Sequence, residues 1–306
     1  FDASAIQDRL GMVFTYYNKK TAKAILDQII APSSGQSGVR PINVGGILNS
    51  GIELMVRGTP WRSDRMNLDL TASISTNENK VTDIGIPGQY FVSAGTFLRH
   101  QEGYPAFGWF EQRVHTTTFN RTTGVASAVM CSDTLPGGRE GGIPRLCAGP
   151  DGVYGNSDDA PDVYLGRSVP PTEYSFTGTF SLFNRLRFFS MVDVKNGHKK
   201  LDGNTRVRCG IFGRCPENFA NVDPAQFAGS VDSIRTAQAQ SNSNLVDFLI
   251  TNSSFAKWRE FTVSYDVPET LVRRARASRL TVSLSGRNLK TWTNYQGFEP
   301  EAMFLG

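Results

Sequence analysis

Asp151-Gly152-Val153-Tyr154-Gly155-Asn156-Ser157-Asp158-Asp159 is the one metal-like segment of the chain. Calcium takes six to eight oxygen ligands, and closely spaced Asp and Asn in a Gly-rich loop can supply them. Asp151, Asn156, Asp158 and Asp159 are therefore candidate calcium ligands. Val153 and Tyr154 stand where further oxygens would help, and no Glu follows at the usual spacing, so a solvated acidic loop is the competing reading. The four cysteines, Cys131, Cys147, Cys209 and Cys215, lie in Gly-rich segments without C-x-x-C spacing or a nearby His. Short loops favour the disulfides Cys131–Cys147 and Cys209–Cys215 in oxidising surroundings, although four cysteines allow three connectivities and free thiols are the alternative. Tyr104, Trp109, Trp292 and Tyr295 flank expected strand ends. Such rings can stack on a sugar or peptide, anchor at a membrane interface, or pack within their own loops.

Catalytic signatures are missing. His100, His115 and His198 fall in loop-rich regions, and no H-E-x-x-H, G-x-S-x-G, P-loop or G-x-G-x-x-G occurs. The expectation is a protein that is not an enzyme. Net charge is +4, from 32 basic and 28 acidic residues mixed along the chain, which is too balanced to suggest nucleic acid. Arg273, Arg274, Arg276 and Arg279 form the densest basic cluster, read either as a solvated turn or as a contact with anionic lipid head groups.

The elements that would carry these residues are strands. Phe261, Val263, Tyr265 and Val267 alternate with Glu260, Thr262, Ser264 and Asp266, and Leu280, Val282 and Leu284 alternate with Arg279, Thr281 and Ser283. Successive side chains of a strand point to opposite faces, so each strand has an apolar and a polar side. The same alternation runs through Leu10, Met12, Phe14 and Tyr16, through Ile52, Leu54 and Val56, and through Met66, Leu68, Leu70, Ala72 and Ile74. It returns in Tyr174, Phe176, Phe180 and Leu182, and in Leu186, Phe188, Val192 and Val194 against Arg187, Asp193 and Lys195. The first strand is expected to run long, resuming as an apolar segment over 24–30, with a short helix over 21–30 as the alternative, followed by a loop over 32–38 and a strand over 42–56. Residues 58–64 and 183–185 read as short turns. Residues 77–169 read as mostly irregular apart from a hairpin strand within 104–119, and 197–252 read as a long loop. Connections thus alternate long and short, with every long one at the same end. For 306 residues, 39% hydrophobic content is low for a thick core. It fits an antiparallel, up-and-down transmembrane β-barrel wall of about seven spanning strands with long extracellular loops. No window of 18 apolar residues exists for a membrane helix.

Asn252-Ser253-Ser254-Phe255-Ala256-Lys257-Trp258-Arg259-Glu260-Phe261-Thr262-Val263-Ser264-Tyr265, then Ser285-Gly286-Arg287-Asn288-Leu289-Lys290-Thr291-Trp292-Thr293-Asn294-Tyr295-Gln296-Gly297-Phe298-Glu299-Pro300-Glu301, resemble the C-terminal part of SusC/RagA-type TonB-dependent outer-membrane transporters. Asn43-Val44-Gly45-Gly46-Ile47-Leu48-Asn49-Ser50-Gly51-Ile52-Glu53-Leu54 and Leu165-Gly166-Arg167-Ser168-Val169-Pro170 add to the likeness, with Ser168 in place of a proline. The resemblance implies that residues 1–306 are the C-terminal β-barrel segment of such a receptor in the bacterial outer membrane, with the plug and final strand outside them. It implies import of oligosaccharides or peptides, a SusD-like surface lipoprotein as partner, contact with the TonB complex through N-terminal regions, and a surrounding of outer-membrane lipid. The family often carries a D-x-N-G-D-G-like run at the acidic segment. The rival reading, from the residues alone, is a secreted β-sandwich adhesin or carbohydrate-binding module, whose apolar faces would pack on each other.

Overall fold

A computed structural model describes residues 1–29, 39–43, 45–85, 90–92, 97–135, 139–241 and 244–302. The loop read over 32–38, and Ile30 and Val44 beside it, lie outside the described residues. The strands are β1 (Asp2–Ala5), β2 (Leu10–Ala22), β3 (Ile25–Ile29), β4 (Val39–Asn43), β5 (Gly46–Arg62), β6 (Met66–Thr76) and β7 (Glu78–Asp83). They continue as β8 (Tyr90–Val92), β9 (Leu98–Gln101), β10 (Gly108–Glu111), β11 (Val114–Asn120), β12 (Val125–Thr134), β13 (Glu140–Leu146) and β14 (Val163–Arg167). The last are β15 (Thr172–Leu182), β16 (Leu186–Asn196), β17 (Lys199–Leu201), β18 (Ile250–Asn252), β19 (Phe255–Asp266) and β20 (Thr281–Thr293).

One sheet dominates, in the order β1-β2-β5-β6-β15-β16-β19-β20, with β7 paired to the far end of β5. Its pairings are antiparallel throughout, and the seven strands after short β1 are the seven expected from alternation. The sheet is open: β1 and β20 each have one neighbour, so the barrel does not close within this chain.

Cross-strand register joins the separate alternations into two continuous faces. Phe14, Leu54, Ile74, Tyr174, Val194, Ala256 and Trp292 form one row, and Met12, Val56, Ala72, Phe176, Val192 and Trp258 the next. Further along, Leu68, Phe180, Phe188, Val263 and Leu284 line up on the same side. The opposite face carries Thr15, Glu53, Ser75, Glu173 and Lys195 in one row, and Ser73, Ser175, Asp193, Lys257 and Thr291 in another. Nothing described covers the apolar face: Leu284 is 77% exposed, Phe176 49% and Leu70 45%. A β-sandwich needs a second sheet against that face, and among the described residues none is there.

Short turns at 6–9, 63–65 and 183–185, and the 267–280 connection, all lie at one end of the sheet. At the other end the connections over 77–171 and 197–254 fold together into a compact outer body. Its core holds Trp109, Val163, Leu165, Leu201, Val246, Leu249 and Ile250, and a second cluster holds Val114, Cys131, Cys147, Ala160 and Leu245. Residues from both long loops meet in each cluster, so neither loop is an independent excursion.

Here the fold departs from the sequence reading. Residues 77–169 are not mostly irregular; they contain β7–β14, most of them shorter than eight residues, too few for a period to show. The expected 104–119 strand splits into β10 and β11, which enter different sheets. The 197–252 loop contains a helix over Ser233–Gln240, capped by Asp232, whose carboxylate accepts from the Arg235 N–H. The first strand does not run on as one piece. It stops at Ala22, Lys23 turns to φ +56°, and Ile25–Ile29 pairs with Val39–Asn43 instead. Residues 58–62 are not a turn but the end of β5, which passes Pro60 through an irregularity between Gly58 and Trp61. Alternation places the last strand over 279–286, and β20 extends seven residues further, to Thr293.

Both preferred disulfides are formed, with Cα atoms 4.9 Å apart in Cys131–Cys147 and 5.0 Å in Cys209–Cys215. The first staples β12 to the turn after β13, and both its sulfurs are fully buried. Closing a loop of 16 residues is worth about 3 kcal/mol, and one of 6 residues about 2 kcal/mol, in the chain-entropy account. Replacing Cys131 and Cys147 by Ala is expected to lower outer-body stability more than the same change at Cys209 and Cys215. Thermal unfolding followed by amide exchange in 108–165 measures it; equal losses from the two pairs would contradict this ranking.

Candidate functional site

The polar face is concave, and a depression of about 520 Å³ opens on it. Thr15, Glu53, Ser73, Ser75, Glu173, Ser175, Asp193, Lys195 and Arg259 supply its polar lining. Alternation alone puts all of these except Arg259 on this face. Arg259 arrives by a break in the pattern: Trp258 and Phe261 are both apolar-face residues, yet two residues separate them. A bulge in β19 absorbs the extra residue, with Trp258 opposite Val192 and Glu260 opposite the next residue of β16, Met191. A bulge leaves its extra residue unpaired and re-aims a side chain. Arg259 therefore turns toward Asp193, with Nε to Oδ2 at 2.9 Å.

The same guanidinium binds Glu301 with both terminal nitrogens, at 2.6 and 2.5 Å. Lys257 Nζ lies 3.0 Å from Glu301 and 3.3 Å from Glu299. The segment after β20 is thereby strapped onto the polar face. Hydrogen bonds from Arg259, then from Lys257, hold the Glu301 carboxyl down to about 2. Tyr295 fixes the strap at its other end: its hydroxyl donates to the Leu201 carbonyl at 3.0 Å, and burial pushes the phenol up to about 12. Lys195 and Glu173 (3.5 Å) pair across the neighbouring strands.

The expected ring contacts fall in separate places. Trp109 is 7% exposed and its indole N–H donates to the Lys199 carbonyl at 2.9 Å, so it belongs to the outer-body core. Tyr104 packs against Phe110 and Tyr164. Tyr295 serves the strap. Trp292 stands on the apolar face beside Ala256, with the Lys290 ammonium 5.4 Å from its ring. None of the four is among the residues lining the polar depression. In the acidic loop, Asp151 accepts from the Val153 N–H and the Asn156 side-chain amide, and Asp159 accepts from the Gly155 and Asn156 N–H groups. These oxygens close the loop on itself. Among the described residues no group of three or more His, Cys, Asp or Glu is placed to hold a metal ion. Sequence reading missed Glu299, Glu301 and Arg259 as one cluster. Its signal was the broken alternation at Trp258-Arg259-Glu260-Phe261.

Beneath the outer body's surface lies a set of buried carboxyls. Burial pushes Glu111 up to about 8, with Asp162 adding to it, and pushes Asp247 up to about 6. Asp247 Oδ2 accepts from the Val114 N–H at 3.1 Å, and its Oδ1 accepts from the Gln238 amide, linking β11 to the Ser233–Gln240 helix. Burial, then Lys200 and Lys195, lowers His198 to about 4.

Comparison with known proteins gives one consistent answer. No family model matches the chain. TonB-dependent receptor P26 of Formosa agariphila is 25% identical over 325 aligned positions, covering 100% of this chain and 30% of that protein. TonB-dependent receptor P39 of the same organism is 24% identical, covering 98% of this chain and 32% of that protein. The RagAB peptide importer in its 'closed-closed' state superposes with a TM-score of 0.75 at 19% identity, covering 99% of this chain and 32% of that one. In its 'open-open' state the TM-score is 0.69 at 18% identity. The chain thus spans about a third of the length of the relatives it matches. The resemblance to SusC/RagA-type receptors read from the motifs holds in both sequence and fold.

Two expectations follow from the charges. A carboxylate with a depressed folded value stabilises above its unfolded value and loses that contribution as pH falls through the folded one. Contact of 294–301 with the polar face should therefore hold down to about pH 4.5 and loosen toward pH 2. Glu301→Gln should loosen it at neutral pH by about 1 kcal/mol, a charge-assisted pair discounted for partial exposure. Amide exchange of 294–301 reads this, and unchanged protection in the variant would contradict it. Glu111 has the opposite sign: a raised carboxyl makes stability fall as pH rises through the folded value. Asp247 and His198 change below about pH 6.5, so from there to about pH 8 Glu111 governs the slope among these three. The outer body's melting midpoint should drop across that range and stay level in Glu111→Gln; parallel curves would refute the assignment.

Proposed function

We propose that this chain is a section of barrel wall from an outer-membrane, TonB-dependent importer of the SusC/RagA type. The observation that carries the reading is the two-faced open sheet: apolar rows in register on one side, a charged concave surface on the other, and both long loops at one end. From the Thr76/Thr172 row to the Met66/Leu182 row is ten residue steps. At about 3.4 Å per residue and a tilt of about 40°, that is roughly 26 Å of height, close to the ~25 Å apolar band of such barrels. Aromatic residues flank the band on the apolar face, with Tyr16, Tyr174 and Trp292 toward the long loops and Trp61 and Tyr265 toward the turns. Girdles of this kind mark both interfaces of membrane barrels.

In this reading the polar face looks inward to a plug-filled lumen, the outer body faces the cell exterior, and the role is transport rather than catalysis. Energy would come from TonB through regions outside this chain, and a SusD-like lipoprotein would sit over the outer body. A peptide cargo is supported by the likeness to the RagAB peptide importer, and an oligosaccharide is the alternative. Competitive uptake of labelled peptides and labelled oligosaccharides by cells carrying the whole receptor separates the two.

The membrane assignment is tested by a charge scan. Arg at Leu70 or Val263 should cost about 2–4 kcal/mol and deplete the protein from outer membranes. The same change at the adjacent Thr71 or Thr262 should be tolerated. Equal damage at both members of a pair, or recovery of the protein in the soluble fraction, would defeat the reading.

A further inference from the structure

The four short connections carry a charge pattern unlike that of the rest of the chain. Arg9, Arg62, Arg65, Arg185, Arg187, Arg273, Arg274, Arg276 and Arg279 all lie in or next to them. The acidic residues there are Asp8, Asp64, Asp266 and Glu269, and there is no lysine. Nine positive charges against four exceed the +4 of the entire protein, so this end is basic and the remainder is not. Among the described residues only Arg273 (to Glu269, 3.2 Å) and Arg279 (to Asp266, 3.1 Å) of the nine have a carboxylate partner. The connections are also neighbours: the Phe183 N–H donates to the Arg65 carbonyl and the Asp266 N–H to the Arg185 carbonyl. Apolar side chains are interleaved with the arginines, with Trp61, Phe183, Leu271 and Leu280 all exposed. The rim begins where the apolar rows end.

An arginine-only composition narrows the chemistry. Guanidinium is planar and weakly hydrated, and its N–H fork matches phosphate oxygens two at a time, whereas lysine offers a point charge. We propose that this rim binds the phosphodiester head groups of anionic phospholipids in the leaflet it meets, with Arg273, Arg274 and Arg276 as its densest group. The inference rests on the membrane reading above. The exposed apolar residues enter the head-group region beside the arginines, and the band above them is continuous with the acyl chains. An acidic protein partner would not explain why the arginines end the apolar rows.

The test uses the whole receptor that carries this chain, reconstituted in vesicles of phosphatidylcholine alone or mixed with phosphatidylglycerol. Wild type should melt at a higher temperature in the anionic vesicles. The difference should vanish near 1 M salt, where the Debye length falls to about 3 Å. It should be largely lost in Arg273→Gln/Arg274→Gln/Arg276→Gln and partly kept in the corresponding Lys variant; Arg65→Gln/Arg185→Gln is the second variant should the first fail to fold. Equal melting in the two lipids, or a full difference retained in the Gln variants, would overturn the proposal. So would inorganic phosphate reproducing the shift in neutral vesicles, since that would indicate a soluble-anion site. Failure to incorporate into either vesicle would count instead against the membrane reading itself.

Discussion

A sheet one layer thick has no interior, so it separates oil from water only by keeping every strand in step with its neighbours. A slip of one residue would exchange a strand's faces. The register observed here obeys that constraint across seven strands, and where sequence and register conflict the backbone yields. At Trp258-Arg259-Glu260-Phe261 strict alternation continued from Trp258 would send both Glu260 and Phe261 to the wrong side. The bulge in β19 keeps Trp258 and Phe261 on the apolar face and places Lys257, Arg259 and Glu260 on the other. The same kink brings Arg259 within reach of Asp193 and Glu301, so a repair of register also creates the ion cluster.

What could be read from the sequence follows from how local each cause is. Period-2 alternation is a property of five or six consecutive residues, and it located the seven long strands and the turn at 183–185. The disulfide pairing was legible because short loops cost little to close. The outer body was not, since its strands are brief and its cores join residues as distant as Trp109 and Ile250. Nor was the fate of the aromatic candidates: a ring at a strand end looks the same whether it faces solvent, lipid or a core. Gly51 illustrates the limit. A Cβ there would lie 1.9 Å from the Thr76 carbonyl oxygen and 2.8 Å from the Tyr17 ring, and the Tyr17 hydroxyl donates to that same carbonyl at 3.0 Å. Glycine is demanded by a packing between three strands, of which the sequence shows only the glycine.

β17 ties the two halves of the molecule together. Only three residues long, it gives its Lys199 carbonyl to Trp109 in the outer-body core and its Leu201 carbonyl to Tyr295 in the strap. The strap then runs to Glu301, which is held by Arg259 on the polar face. The outer body and the inner wall are therefore joined by directional bonds as well as by the sheet. Under the proposed function, a partner that pressed on the outer body would reach the strap through β17, whose Leu201 carbonyl holds Tyr295 and whose Lys200 ammonium donates to the Ala302 carbonyl at 2.8 Å.

The two ends of the sheet also differ in covalent chemistry. Both disulfides lie beyond the strand ends reached by the long loops, where segments with many backbone groups and few apolar residues need help to form a core. The turn end has no cysteine and relies on hairpin geometry, with Phe183 and Asn184 at φ +53° and +56°, the positive pair of a type I′ turn closed by the Arg185 N–H on the Leu182 carbonyl. The asymmetry follows from the length of chain between strands: a long connection carries conformational entropy that a disulfide removes from the unfolded state, whereas a tight turn closes so short a loop that a cross-link would gain little.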